Sequence, residues 1–204
     1  FLAKRDLKQI AINLARDPAF QFQLAVELND VNRAFNLCQS EQDYKKVGEL
    51  GVKLGNFELA KEAYTKGNNY GDLLVLYSSF GDYEGVKLVG QKGKGNVRFI
   101  ANLMCGDVES CINDLLLERR YTEAAFMART YAPSLVHKTV QEWKAQLLKD
   151  PKSARIGDAI ADPEEYPDLF DNWADTVAAE KVSQDFYSKA IPAARYPEYK
   201  NWNE

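Results

Sequence analysis

The chain has 204 residues, 46% of them hydrophobic and 12% aromatic, which is enough apolar side chain to bury a substantial core. Its 26 basic and 30 acidic residues are interspersed, so no basic stripe points to nucleic acid as a partner. No apolar run approaches the ~20 residues of a membrane-spanning helix, and the first residues do not form a signal-peptide pattern. The sequence starts at Phe1 inside a helical pattern, which indicates a segment of a longer protein.

Apolar residues recur at helical spacing along most of the chain. They predict helices over residues 1–15, 18–28, 31–37, 42–54, 57–65, 70–80, 97–104, 108–118 and 122–131. Pro18 suits the first turn of the second of these helices, where a missing N–H is tolerated. Gly85 and the glycines between positions 90 and 95 are expected to interrupt the pattern, the latter as a flexible, basic loop.

The pattern changes after Pro133. Ser134 is predicted to cap a longer helix whose apolar face carries Val136, Val140, Trp143 and Leu147. A last helix is predicted over residues 169–190. We therefore expect three parts: a solenoid over 1–133, a helical extension or cap over 134–190, and a flexible tail over 191–204 that is ordered only when bound.

A break between helices recurs in register. The break residues Asn29, Gly55, Gly81, Gly106 and Arg119 are spaced by 26, 26, 25 and 13 residues. Five residues after each comes a small or short side chain, at Ala34, Ala60, Val86, Cys111 and Ala124. Repetition on this scale predicts an all-α protein, a right-handed α-solenoid of short TPR-like helical hairpins.

The repeat assigns packing roles to Gly55, Phe57, Ala60, Gly81, Tyr83, Gly106 and Ala124. Phe57 is expected to anchor the core, and Ala60 to lie where two helices nearly touch. Asn29 and Arg119 stand where the repeat prefers glycine, so those two turns are expected to differ in shape.

Residue types suited to chemistry are sparse. His137 has no cysteine at helical spacing and no acidic pair beside it, and Cys38, Cys105 and Cys111 lack metal-ligand spacing. The cysteines are expected to be free thiols in a reducing cytosol. The glycines after position 90 follow no strand and precede no Lys-Ser or Lys-Thr pair. Glu164, Glu165 and Asp168 are expected to face solvent. We predict no catalytic, cofactor-binding or metal-binding residue, and no small-molecule substrate.

Two stretches carry a family resemblance. Residues 121–134 and residues 161–166, with Leu169 and Phe170 following, resemble the COPI coatomer family that includes α-COP and β′-COP. Residues 1–18 and 22–25 are similar to both members, whereas residues 125–131 and the Trp143 helix favour the β′-COP branch. The resemblance extends over residues 1–182.

The resemblance implies the C-terminal part of an α-solenoid that pairs with the α-COP solenoid and other coatomer subunits in the outer, cage-forming layer. It implies transport from Golgi to endoplasmic reticulum and within the Golgi. It also implies a cytoplasmic location on Golgi membranes and COPI vesicles, with membrane association only through the coat. Cargo signals bind propeller domains in that family, so no cargo-binding residue is carried over.

Arg129, Trp143, Leu147, Phe170 and Trp173 are the candidate partner interface. Two interpretations remain open for the tryptophans and their neighbours: they cap the solenoid, or part of this surface docks on α-COP. The alternative function is a TPR-like adaptor that binds short peptides in a concave groove. The aromatic residues concentrate at repeat turns and on the Trp143 helix instead, which favours solenoid-to-solenoid contact.

Overall fold

A computed structural model describes residues 7–188, and the regular structure in that range is helical. Its α-helices are α1 Lys8–Leu14, α2 Pro18–Glu27, α3 Val31–Asn36, α4 Glu41–Lys53, α5 Phe57–Lys66, α6 Tyr70–Ser79, α7 Tyr83–Lys92, α8 Gly95–Met104, α9 Val108–Leu117, α10 Tyr121–Tyr131, α11 Val136–Leu147, α12 Ala154–Ala159 and α13 Trp173–Ser188. Short 3₁₀ helices cover Pro133–Leu135 and Pro167–Leu169. The all-α prediction is confirmed. The predicted tail and the first residues of the predicted opening helix lie outside the described range.

The described residues form two compact units that divide between Phe80 and Gly81. In the first unit, α1 to α6 each pack on their chain neighbours around a cluster that includes Ile12, Leu24 and Val47. In the second unit, the cluster around Ile112 is built from α9, α10 and α11. Packing of each helix on its neighbours in sequence is that of a TPR-like α-solenoid, as predicted.

The break residues share one backbone conformation. Asn29, Gly55, Gly81, Gly106 and Arg119 have φ values of 57°, 74°, 64°, 74° and 59°. This left-handed region is the usual conformation of the residue just past a helix C-terminus. The prediction that the turns at Asn29 and Arg119 differ in shape is wrong, because both residues adopt the glycine-like conformation.

The turn at Gly55 shows how the helices are joined. The N–H of Asn56 donates to the carbonyl of Gly51 at 2.8 Å, and the N–H of Gly55 donates to the carbonyl of Val52 at 3.1 Å. These bonds form a Schellman motif, which satisfies carbonyls that the helix end would otherwise leave free. The same pair of bonds closes the turns at Asn29, Gly106 and Arg119.

The residue after each break occupies the N-cap position of the next helix. Asn56 Oδ1 accepts the N–H of Leu59 at 3.3 Å, which makes Asn56 the N-cap of α5. Asp30, Asp82 and Asp107 cap α3, α7 and α9 in the same way. Arg120 cannot accept a hydrogen bond, and its guanidinium instead pairs with the carboxylate of Glu123 in the first turn of α10.

A further turn of the same kind, missed by the sequence analysis, joins α5 to α6. Asn68 has a φ of 53°, and the N–H of Asn69 donates to the carbonyl of Tyr64 at 2.9 Å. Asn68 lies midway between Gly55 and Gly81, 13 residues from each. The 26 residues between Gly55 and Gly81 are therefore two modules, each made of one short helix and one left-handed turn.

Small residues let α4 and α5 approach closely. Ala60 is fully buried, and a Cβ added to Gly51 of α4 would lie 3.1 Å from the Cβ of Ala60. One turn along, Tyr64 of α5 fills the space that a side chain on Gly48 would need. Ala60 therefore lies between α4 and α5 at a point where the two helices approach closely. The equivalent residues Ala34, Val86, Cys111 and Ala124 are buried as well.

Phe57 does not anchor the core, so that prediction is wrong. Its side chain is 37% exposed, and its ring packs edge-on against Phe80 at a centroid distance of 4.9 Å. The buried face of α5 carries Ala60, Ala63 and Tyr64. Phe57 begins the helix and lies at the margin of that face.

The predicted interruption at Gly85 is wrong, and the interruption predicted between positions 90 and 95 is confined to Gly93 and Lys94. α7 continues through Gly85 and Gly90 to Lys92, and both of these glycines are buried. A Cβ added to Gly90 would lie 2.3 Å from Oδ1 of Asn102 in α8. Because Gly90 has no side chain, α8 can approach α7 closely at this point. Gly93 and Lys94 connect α7 to α8.

Substitutions at Gly55 test the left-handed turn. An added Cβ would meet no other atom within 4 Å, so the effect of a side chain is conformational. Gly55→Val is expected to lower the free energy of unfolding by roughly 1–2 kcal/mol, because a branched side chain disfavours positive φ. Gly55→Asn, which copies Asn29 and Asn68, should lower it by less. Equal losses in urea unfolding would contradict this account.

Ala60 provides a test of helix packing. Ala60→Arg forces a charge between α4 and α5 and is expected to prevent cooperative folding or to lower the melting temperature strongly. Thr65→Arg adds the same side chain to an exposed position of α5 and should leave the melt nearly unchanged. The comparison is made by circular dichroism. A normal melt for Ala60→Arg would show that the helix register is incorrect.

Candidate partner interface

Both candidate tryptophans in the second unit lie at the edge of its core. Trp143 of α11 and Trp173, the first residue of α13, are half-buried and pack against the cluster around Ile112. Leu147 is also half-buried, and a Cβ added to Gly157 of α12 would lie 3.2 Å from its Cβ. The structure therefore gives these three candidate residues packing roles within their own unit.

Phe126 is an exposed aromatic residue that the sequence analysis did not select. Its side chain is 57% exposed, and its ring centroid lies 6.3 Å from that of Trp143. Arg129, also exposed, follows three residues later on α10, so the two side chains are neighbours on one helix surface. Ala125 and Ala128 form the buried side of α10. The spacing of these two alanines in the sequence indicates that Phe126, which lies between them, points outward.

A buried carboxylate ties the segment after α12 to α11. Asp162 is fully buried, and its Oδ2 lies 2.9 Å from Nδ1 of His137 and accepts a hydrogen bond of 2.9 Å from the amide of Gln141. Its Oδ1 accepts the N–H of Glu164 at 3.0 Å. His137 has no acidic pair beside it in the sequence, and folding brings this carboxylate from 25 residues away.

The next turn of α11 makes a second link to this segment. Nζ of Lys144 donates to Glu165 at 2.9 Å, and Gln141 donates to the same carboxylate at 3.0 Å. The hydrogen bond from Lys144 lowers the pKa of Glu165, and the same bond raises the pKa of Lys144. Glu165 is therefore held by α11, while its side chain, like those of Glu164 and Asp168, remains exposed to solvent. We call His137, Gln141, Lys144, Asp162 and Glu165 the α11 polar network.

The start of α11 is not capped as predicted. Ser134 lies in the 3₁₀ helix that precedes α11, and α11 itself begins at Val136. The N–H and hydroxyl of Ser134 donate to the carboxylate of Glu180 in α13, at 2.6 and 2.8 Å. Glu180 is buried and thereby joins α13 to the turn between α10 and α11. The side chain that satisfies Ser134 comes from 46 residues away.

The apolar side chains between the α11 polar network and α13 differ in how far they are exposed to solvent. Phe170 is half-buried and packs edge-on against Trp173 at a centroid distance of 5.7 Å. Leu169 is 68% exposed and Tyr166 is 51% exposed. The segment thus keeps one aromatic ring against α13 and leaves its other apolar groups in contact with solvent.

The thiols are poorly suited to act as nucleophiles. Burial raises the pKa of Cys38 and of Cys111 to about 11, and burial also raises the pKa of Cys105. Among residues 7–188, no group of three or more histidine, cysteine, aspartate or glutamate side chains is arranged to hold a metal ion. In the same range, no helix is both long enough and apolar enough to span a bilayer.

Comparison with known proteins identifies related sequences along almost the whole chain. The model of the COPA/B TPR domain matches residues 1–144. Coatomer subunit beta'-1 of Oryza sativa subsp. japonica is 40% identical over 189 residues, which are 89% of this chain and 20% of that protein. Coatomer subunit beta'-1 of Arabidopsis thaliana is 36% identical over 204 residues, which are 96% of this chain and 22% of that protein.

A human relative matches the chain with a similar identity and over a similar length. Coatomer subunit beta' of Homo sapiens is 34% identical over 204 residues, which are 97% of this chain and 22% of that protein. The chain therefore spans about a fifth of the length of the curated relatives that it matches.

Removal of the Asp162 carboxylate tests the α11 polar network. Asp162→Ala leaves the Gln141 amide and the Glu164 N–H without this acceptor, so the free energy of unfolding is expected to fall by about 1–3 kcal/mol. Amide hydrogen exchange should rise over residues 160–172. Asp168→Ala, at an exposed position, is the matched control and should change neither quantity. Unchanged exchange in Asp162→Ala would show that the network does not hold this segment.

Proposed function

The chain belongs to the COPA/B TPR domain family, and from this membership we propose that it is a structural, protein-binding segment of the COPI vesicle coat. The coatomer β′ names of its relatives support this proposal. In this role the segment pairs with the α-COP solenoid, alongside other coatomer subunits, in the outer layer of the coat. The process it serves is transport from the Golgi to the endoplasmic reticulum and within the Golgi.

The proposed location follows from the same role. A coat subunit acts on the cytosolic face of Golgi membranes and on COPI vesicles, and it reaches the membrane through the rest of the coat. We assign the chain a structural role without catalysis, because the relatives it matches carry the names of coat subunits. The raised pKa values of its cysteines are in keeping with that assignment.

The exposed pair on α10 is the observation that carries the proposed contact surface. Phe126 and Arg129 are adjacent, and Phe126 leans on Trp143, which the core holds in place. Tryptophan, tyrosine and arginine are over-represented among side chains whose truncation weakens protein interfaces. A ring fixed by packing also loses little conformational entropy when a partner binds.

The remaining candidate residues extend this proposal toward the C-terminal side. Phe170 and Trp173 pack on each other, and Leu147 lies at the end of α11. We propose that residues 134–190 act as a cap on the solenoid over 1–133 and that the cap contributes part of the partner surface. Under this proposal, Trp143 and Trp173 stabilise the fold and support the exposed groups that contact α-COP.

Charge reversal at Arg129 tests the proposed surface. Arg129→Glu is expected to weaken binding to the purified α-COP solenoid at least about tenfold, because an interface arginine is replaced by a repelling charge. Arg155→Glu, on exposed α12, makes the same charge change elsewhere in the second unit and should weaken binding less than about twofold. Binding is measured by calorimetry, and both variants should melt like the parent.

Trp143→Ala serves as the contrasting variant. Because Trp143 packs on the core, its truncation is expected to lower the free energy of unfolding by about 3 kcal/mol, so a loss of binding would not separate affinity from stability. Phe126→Ala is expected to weaken binding while keeping most of the stability. If Arg129→Glu and Phe126→Ala both bind α-COP normally, the contact surface is elsewhere. If the parent chain itself does not bind α-COP, the proposed pairing is refuted.

A further inference from the structure

A groove lies between α2 and α4 in the first unit. Its volume is about 310 Å³, at the lower end of the roughly 300–1,000 Å³ of ligand pockets in proteins. Residues of α2, of α4 and of the connection between α3 and α4 line it. The groove therefore brings side chains from separate elements onto one concave surface. The contact surface proposed above for α-COP is in the second unit and shares no residue with it.

Three large apolar side chains line the groove. Phe22 of α2 is buried, Val26 follows one helical turn later and is half-buried, and Leu37 at the end of α3 is half-buried as well. Phe22 is a member of the core cluster of the first unit, and Val26 and Leu37 pack against that cluster. The fold therefore fixes this apolar surface before anything binds, so little further ordering is needed when a side chain enters the groove.

The two carboxylates of the lining already have partners. Glu27 lies 2.9 Å from Nζ of Lys8, and this hydrogen bond holds the pKa of Glu27 below its usual value. Asp43 accepts the N–H of Gln39 at 3.2 Å, and the N–H and hydroxyl of Ser40 at 3.0 and 2.8 Å. Asp43 also lies in the first turn of α4, where the helix dipole offsets negative charge. Both carboxylates are thus engaged within the first unit.

Lys46 is the charged residue of the lining that has no such partner. It is exposed on α4, and the structure over residues 7–188 gives its ammonium no ion pair and no hydrogen bond. The side-chain amide of Gln39 is exposed too and has no hydrogen bond within the same residues. The groove therefore places two available donors, one of them cationic, beside an apolar surface. A carboxylate next to an apolar side chain complements this arrangement in charge and in polarity.

We propose that the groove between α2 and α4 binds a short segment of a partner protein in which an aliphatic or aromatic side chain lies next to an aspartate or glutamate. The apolar side chain contacts Phe22, Val26 and Leu37, and the carboxylate accepts hydrogen bonds from Lys46 and Gln39. The inference goes beyond the proposed function, because it assigns a second contact to the first unit and does not depend on pairing with α-COP.

The test is an NMR titration of the isotope-labelled 204-residue chain with a capped peptide, acetyl-Gly-Asp-Leu-Glu-Gly-amide. Backbone amide signals of residues 22–27 and 37–46 should shift as the peptide is added, because these residues include most of the lining. A neutral peptide with asparagine and glutamine in place of the two acidic residues should bind at least about fivefold more weakly. A peptide with alanine in place of leucine should lose at least as much affinity.

Charge reversal at Lys46 tests the recognition of the carboxylate. Lys46→Glu is expected to weaken binding of the acidic peptide at least about tenfold and to change binding of the neutral peptide by less than about twofold. Lys53→Glu is the matched control, because it makes the same change at an exposed position of α4 that does not line the groove. This control should bind the acidic peptide within about twofold of the parent, and both variants should melt like the parent.

Three results would overturn the inference. The first is a titration in which the signals of the groove residues do not move. The second is equal binding of the acidic and neutral peptides, or an equal loss of affinity in Lys46→Glu and Lys53→Glu, because Lys46 would then not recognise a carboxylate. The third is a shift of the same signals when the chain alone is diluted, which would show that a second copy occupies the groove. The pairing with α-COP is measured separately and stands or falls independently of these results.

Discussion

The left-handed residue just past the end of helices α2, α4, α5, α6, α8 and α9 is the constraint on which the rest of the structure depends. Asn29, Gly55, Gly81, Gly106 and Arg119 all have positive φ, and the residue that follows four of them caps the next helix. At these four turns one residue completes a helix and the next residue caps the following helix. Because the connection is so short, the ten residues of α5 and the turn at Asn68 fit into the 13 residues after Gly55.

Helices of about ten residues are only marginally stable in isolation, so their stability must come from packing on neighbouring helices. The small side chains five residues after each turn make that packing close, as Gly51 against Ala60 shows. The buried helical Gly90 has the same effect between α7 and α8. Within each unit, a core built in this way is distributed along the chain, since most helices pack against their neighbours in sequence.

The C-terminal part of the chain is organised differently. There, side chains far apart in sequence make the decisive contacts, such as His137 and Gln141 with Asp162, and Ser134 with Glu180. These contacts join the segment after α12 to α11, and α13 to the turn that precedes α11.

Local rules were sufficient to predict the repeat from the sequence. A glycine or asparagine followed by a capping residue, with a small residue five positions on, has a local physical cause, so these signals predicted the helices, their turns and the burial of Ala60. Even there, Asn68 was missed, and Gly85 and Gly90 were taken for interruptions, because glycine permits both a turn and a close helix contact. Tertiary structure alone decided that Phe57 lies at the margin of its helix face, that Phe126 leans outward on Trp143, and that Asp162 is buried under His137. The partners in those contacts are distant in sequence. The residues next to each position therefore do not determine which distant side chain packs against it.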